Sequence, residues 1–228
     1  MVARVYNKNY STIIKLSQDL GATPEVLVGI ISTESQGTAG LDDKMLIRFE
    51  VHKFYEGWGS KHPEKFREHF KFNPTQQWLG HKISHDGKNW KVLHPTGSPK
   101  DLPLQYEALQ LALSLDDSAK EAAYGCLGMG LGQVQGFNAK SLGYKNASDM
   151  FSKLSGNEAE QIHSVYMFIK SRPKLLTAVI NHDWQKIEKY YNGGGQGGIY
   201  ATRMSSLAGS LEEVAKAQHI DLKTGRKA

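Results

Sequence analysis

A mainly helical α+β domain, with a small antiparallel hairpin or sheet near residues 41–54, is the fold that three observations predict. Apolar residues recur at helical spacing through the first 35 residues and again over most of the stretch from residue 106 to residue 214. One segment, Met45 to His52, alternates strictly: Met45, Ile47, Phe49 and Val51 on one side, Leu46, Arg48, Glu50 and His52 on the other. Between residues 54 and 103 periodicity fails while Trp, His, Gly and Pro accumulate, which predicts an irregular excursion rather than a further domain.

In order along the chain, Ile13, Leu16 and Leu20 behind Ser11 predict a first helix that Gly21 stops. Thr23 and Pro24 then read as an N-cap with proline at the first helical position, where its missing N–H is harmless. Val26, Leu27, Ile30 and Ile31 form the apolar stripe of that second helix, and Gln36-Gly37 ends it. Asp42-Asp43 reads as the turn of a hairpin leading into the alternating strand. Within the excursion (about 55–103) the pattern predicts one short helix at Pro63–Phe70. Tyr106, Leu109, Leu113 and Leu115 open the helical second half, followed by a glycine-rich run from Gly125 to Gly136. Further helices are expected on Ile162, Val165, Tyr166 and Ile169, ended by Pro173; on Leu175, Leu176, Val179 and Ile180; and after Asp183, with Ile187, Tyr190 and Tyr191 inward and Gly193-Gly194-Gly195 as the stop. Tyr200, Met204, Leu207, Leu211 and Val214 carry the last helix, and a polar basic tail begins near residue 218. The expectation is one domain over 1–228 with no separate binding module.

With 39% hydrophobic and 22% charged residues, the chain is not disordered, and its longest apolar run, Val26 to Ile31, is far below the ~20 residues of a membrane helix. The N-terminus turns polar at Arg4 and lacks the apolar core of a secretory signal, which predicts synthesis in a cytoplasm. The single cysteine, Cys126, excludes a disulfide framework and any site built on several thiolates, and it reads as a small buried hydrophobe. Net charge is +5, and the stretch from His52 to Lys100, with nine Lys/Arg against four Asp/Glu, carries the whole excess. Such a field favours anionic partners such as nucleic acid, lipid headgroups or bacterial wall, or simply keeps a surface soluble.

Glu34 is the most informative residue. It continues the stripe Val26–Ile30 at the last turn of its helix, where partial desolvation and the negative end of the helix dipole both disfavour the anion. That predicts a raised pKa, the condition for a general acid, against the alternative of a frayed end with Glu34 in water. Glu50 is the natural second carboxylate, on one strand face with Arg48 and His52, so that Arg48 can hold it ionised. A neutral acid beside an ionised partner is what cleaving a glycosidic bond requires. An ordinary ion pair is the plainer alternative for Glu50, and Asp42 and Asp43 compete for its role. The glycine-rich run has neither G-x-G-x-x-G spacing nor Gly-Lys-Ser/Thr, so it is not a nucleotide loop; its small residues suit backbone approach to a flat sugar ring, with Gln133 offering its amide. His81-x-x-x-His85 has zinc-compatible spacing, but H-E-x-x-H is absent, and neither a metal nor a cofactor is expected. Trp58, Trp78 and Trp90 fit either sugar stacking or packing within the excursion.

Several segments together resemble the phage-type N-acetylmuramidases, endolysins of the lysozyme superfamily. They are Ile31-Ser32-Thr33-Glu34-Ser35-Gln36-Gly37, Leu46 to Phe54 around Arg48-Phe49-Glu50, Gln105-Tyr106-Glu107-Ala108-Leu109, Gly130 to Asn138, Asp183-Trp184 and Tyr191-Asn192-Gly193. They stand in the family's order and span about residues 10–209. The resemblance implies a lysozyme-like fold and hydrolysis of the β-1,4 bond between N-acetylmuramic acid and N-acetylglucosamine in host-cell lysis. It implies Glu34 as the acid, Glu50 as the second carboxylate, and Gln133 with Tyr191-Asn192 along the glycan groove, beside Arg48. The chain departs from the family pattern at Gly128-Met129, where a Ser-Trp pair is usual, and at Gln135, where methionine is usual. The implied partner is peptidoglycan, met by a monomer that is released to the wall, with no nucleic acid and no stable membrane insertion. A lytic transglycosylase would use the same Glu34; a wall amidase or peptidase on the His81/His85 region and a non-catalytic wall or nucleic-acid binder are the readings from other classes.

Overall fold

In the computed structural model, which describes residues 1–94, 101–194 and 197–227, the chain divides into two units: residues 1–39, 130–132 and 157–228, and residues 40–129 and 133–156. Pro95, Pro99, Lys100 and Gly195 of the sequence reading lie outside the described residues.

The first unit opens with α1 (Val2–Leu20), which starts well before the Ser11 expected of it and bends at Asn9. Buried Val2, Val5 and Tyr6 extend its apolar face toward the N-terminus, and Gly21 closes it in the left-handed conformation, donating to Gln18. α2 (Pro24–Ser35) begins and ends where its sequence predicts, with Gln36 left-handed after it. Thr23 has the extended backbone of an N-cap, but its hydroxyl turns to His182 Nε2 at 3.2 Å instead of capping.

The second unit begins with β1 (Gly40–Leu41) and β2 (Lys44–Met45), joined by Asp42 and Asp43, both at positive φ as a tight hairpin demands. The alternating segment is only partly a strand. β3 (Ile47–Phe49) is followed by Glu50 and then by α3 (Val51–Phe54), which runs into a π-helical turn at 55–59. His52 therefore stands in the first turn of a helix and shares no strand face with Glu50; the hydrophobic alternation continues because Val51 and Phe54 are also core residues of α3. The excursion is more regular than expected. Beyond α4 (Pro63–His69) it carries a three-stranded antiparallel sheet of β4 (Phe70–Lys71), β5 (Lys82–Ile83) and β6 (Lys91–Val92). Two-residue strands are too short to show a period. α5 (Leu102–Leu115) is capped by Asp101, whose carboxylate accepts from Leu104 N, and leads through α6 (Lys120–Gly125) into the glycine-rich run.

That run is mostly sheet and turn. β7 (Leu127–Met129) pairs with β3, setting Arg48 opposite Gly128, and with β8 (Val134–Gln135). Its glycines answer to internal packing. A Cβ on Gly136 would sit 2.3 Å from Tyr124 O, and one on Gly130 would meet the Gln161 side chain at 2.8 Å. α7 (Ala147–Leu154) completes this unit.

The remaining helices return to the first unit: α8 (Glu158–Lys170), α9 (Pro173–Ile180), α10 (Trp184–Tyr191) and α11 (Ile199–Ala217). Asp183 caps α10 as predicted, accepting from Lys186 N at 3.1 Å. α11 buries Ala201, Met204, Ala208, Leu211 and Ala215, so alanines replace Tyr200, Leu207 and Val214 on its inward face. The reason is Gly29 of α2: a Cβ there would lie 2.7 Å from Met204 O and 3.3 Å from Ala208 Cβ, so the two helices touch at backbone distance. Buried Glu188 accepts from Gly198 N (3.2 Å) and Ala201 N (2.8 Å), tying α10 to the N-terminus of α11, where an anion is favoured. The tail forms a small hairpin of β9 (Ile220–Asp221) and β10 (Arg226–Lys227). Among the described residues no helix is long and apolar enough to cross a membrane.

Candidate active site

Glu34 occupies the last turn of α2, and its setting is not that of an amphipathic helix. Every other residue of α2 is buried, the polar Glu25, Ser32, Thr33 and Ser35 included, and Glu34 alone is half-exposed. Its Oε1 accepts a 2.6 Å hydrogen bond from Asn192 Nδ2. Asn192 is presented by the end of α10, where its N–H bonds Glu188 O at 3.0 Å, and its Oδ1 is buried without a hydrogen-bond partner. Its neighbour Tyr191 donates to Gly132 O at 2.8 Å and lies edge-to-face on Phe168, 5.0 Å between centroids. Burial, and after it the negative charge of Glu34, push the Tyr191 phenol well above its ordinary pKa, so it stays a donor. Glu34, Tyr191 and Asn192, far apart in sequence, thus meet within the first unit.

Glu50 lies in the second unit, at the joint where β3 becomes α3, and is 8% exposed. Gln105, wholly buried, anchors this joint by accepting from Phe49 N (2.8 Å) and donating to Leu93 O (2.9 Å). Arg48 Nε reaches Glu50 Oε1 at 2.5 Å. Burial alone would raise the Glu50 pKa, but Arg48, with His81, His94 and His52, outweighs it and holds the carboxyl below the usual range. Glu50 Oε2 looks toward His81 Nδ1 (3.5 Å) and His52 Nδ1 (3.7 Å). Burial lowers the pKa of both imidazoles, and brings that of His94, which bonds Phe49 O, to about 4. Gln133, also in this unit, is half-buried at φ 48°, a left-handed backbone unusual for a residue other than glycine, and its amide reaches Leu46 O at 3.5 Å.

The other sequence candidates sort differently. Asp42 and Asp43 are exposed at the hairpin turn. His81 and His85 part company: His81 is buried against Glu50 and His52, whereas His85 pairs with Glu107 at 2.9 Å. Trp58 is packing, stacked on Phe54 and bonded to Ser118, while Trp78 is 63% exposed and Trp90 lies under Lys71. Cys126 is buried and its thiol is pushed well up by burial. A cavity of about 530 Å³ in the second unit, lined by Lys53, Glu56, Cys126 and Phe137 among others, contains none of the predicted site residues. The meeting of His52 with His81 was hidden in the sequence, since 29 residues separate them and one is helical.

The sequence model of the Muramidase family, described as N-acetylmuramidase, matches residues 23–212. The chain belongs to the N-acetylmuramidase family. It is accordingly a glycoside hydrolase acting on peptidoglycan. Its architecture is similar to the crystal structure of the Burkholderia AP3 phage endolysin, with a TM-score of 0.64 at 18% identity over 90% of this chain and 70% of that one. At that identity the likeness speaks for the fold, an α+β lysozyme-like arrangement rich in helix. A search of curated proteins finds no match.

Proposed function

We propose that this muramidase hydrolyses the β-1,4 bond between N-acetylmuramic acid and N-acetylglucosamine, with Glu34 as general acid, during phage-type lysis of a host cell. The observation that carries the reading is the carboxyl of Glu34. It is the one half-exposed group on an otherwise buried helix, oriented through Oε1 by Asn192. Held in this way, the Glu34 carboxyl protonates the leaving oxygen. Glu50, kept ionised by Arg48, supplies the second carboxylate that stabilises the oxocarbenium-like state, directs water or attacks. Arg48 and Gln133 in the second unit, and Tyr191 and Asn192 in the first, are the residues that bind the glycan in this reading; the Asn192 Oδ1 has no protein partner and suits a sugar N–H or hydroxyl. The basic excursion lends affinity for the anionic wall. The enzyme acts as a monomer, without nucleic acid or membrane insertion, after synthesis in the host cytoplasm.

Mass spectrometry of digested peptidoglycan tests this. Reducing muramic acid ends are expected; anhydro-muramic ends would replace hydrolysis by transglycosylation, and freed amino groups with intact glycan would overturn glycosidic cleavage altogether. Glu34→Gln is expected to lower turnover by about 10²–10⁴-fold with the circular dichroism spectrum unchanged.

A further inference from the structure

The second unit holds a cluster in which the proposed glycan cleavage gives a role to Glu50 alone and none to the two histidines beside it. Glu50 Oε2, His52 Nδ1 and His81 Nδ1 converge, with Oε2 at 3.5 Å from His81 and 3.7 Å from His52, and one ligand atom from each residue lies within 4.8 Å of the others. Two of these atoms, Glu50 Oε2 and His81 Nδ1, are buried and have no hydrogen-bond partner. Glu50 is 8% exposed and His81 1%. His81 Nε2 lies 2.8 Å from Gln77 O, a bond only an N–H can make, so the proton sits on Nε2 and Nδ1 turns a lone pair toward a carboxylate oxygen. Two facing, unsatisfied acceptors are repulsive and costly in a buried place unless a cation stands between them.

We propose that Glu50, His52 and His81 form a site for a divalent transition-metal ion of the zinc class. Tetrahedral bonds of about 2.0–2.1 Å place neighbouring ligand atoms about 3.4 Å apart, close to the two separations to Oε2. Two imidazoles and one carboxylate leave a fourth position for water. The surrounding bonds orient the ligands: Gln77 O fixes the His81 tautomer, and Arg48 occupies Oε1, so that Oε2 alone is presented. His52, the least buried of the three, opens the site to solvent; its 3.3 Å contact with His81 Nε2 is what it exchanges for a metal bond. The ion would pin residue 81 of the excursion to the joint between β3 and α3, a link across 29 residues. His85 is not part of the set, since it pairs with Glu107.

The test is calorimetric titration of the chelator-treated full-length protein with Zn²⁺, alongside the absorption spectrum with Co²⁺. One Zn²⁺ per chain, a higher melting temperature with the metal, and intense visible bands of tetrahedral Co²⁺ are expected. His52→Ala, at the solvent edge of the cluster, should weaken binding by at least about ten-fold while retaining the circular dichroism spectrum. The Co²⁺ spectrum decides the matter even if His81→Ala fails to fold. No binding, Co²⁺ bands of an octahedral ion, or binding that His52→Ala leaves untouched would overturn the site.

Discussion

The two units solve the same problem, burying apolar surface, with different materials. In the first, long helices press together over small residues, as where Gly29 of α2 meets Met204 and Ala208 of α11. In the second, short elements wrap around aromatic rings. Phe49 stacks on Phe70 at 5.7 Å, Phe54 meets Phe70 edge-on at 5.1 Å, and Phe54 stacks on Trp58 at 5.3 Å. The first core is written in spacing, because a helix repeats its inward face every three or four residues. The second is written in residue type, because large rings reach one another from strands and turns too brief to repeat.

This contrast can be broken by substitution. The largest stability loss is expected in the aromatic unit. Phe54→Ala removes a fully buried ring that several others touch and should cost about 3–5 kcal/mol in urea unfolding, with faster hydrogen exchange over residues 47–72. A loss below about 1 kcal/mol would mean that the rings do not form a cooperative core. In the first unit the sensitive change is an enlargement. Gly29→Ala places a methyl against Met204 O and should cost about 1–3 kcal/mol, although alanine is the better helix former. If Gly29→Ala stabilises instead, the helices are not in backbone contact. Asp183→Ala, which removes the cap of α10, should cost about 1 kcal/mol. Smallest of all, Cys126 in the native protein should resist thiol reagents at mildly alkaline pH and react only after denaturant is added, because burial keeps it protonated.

Legibility in the sequence followed the same division. The bounds of α2, the cap of α10, and the Asp42-Asp43 hairpin were readable because capping residues and turn chemistry act within four residues. The inward face of α11 was misplaced, since alanine carries too little apolar surface to stand out although close packing selects it. The pairing of β7 with β3 and the sheet in the excursion were unreadable from period alone. At the site, the Arg48–Glu50 pair was readable as near neighbours. The bond from Asn192 to Glu34 spans 158 residues and had no signal in the sequence; resemblance to a family pointed only to Asn192 as a residue of the glycan groove. His52 was placed on a strand because Val51 continued the alternation, and so its turn toward His81 was missed.

Glu188 carries a consequence for how such a chain can change. Its two oxygens grip backbone N–H groups at Gly198 and Ala201, while its own carbonyl receives the N–H of Asn192. One acidic side chain thereby moors both banks of the crossing from α10 to α11. A change at Glu188 would therefore be felt at the start of α11 and, at the same time, at the asparagine that steadies Glu34.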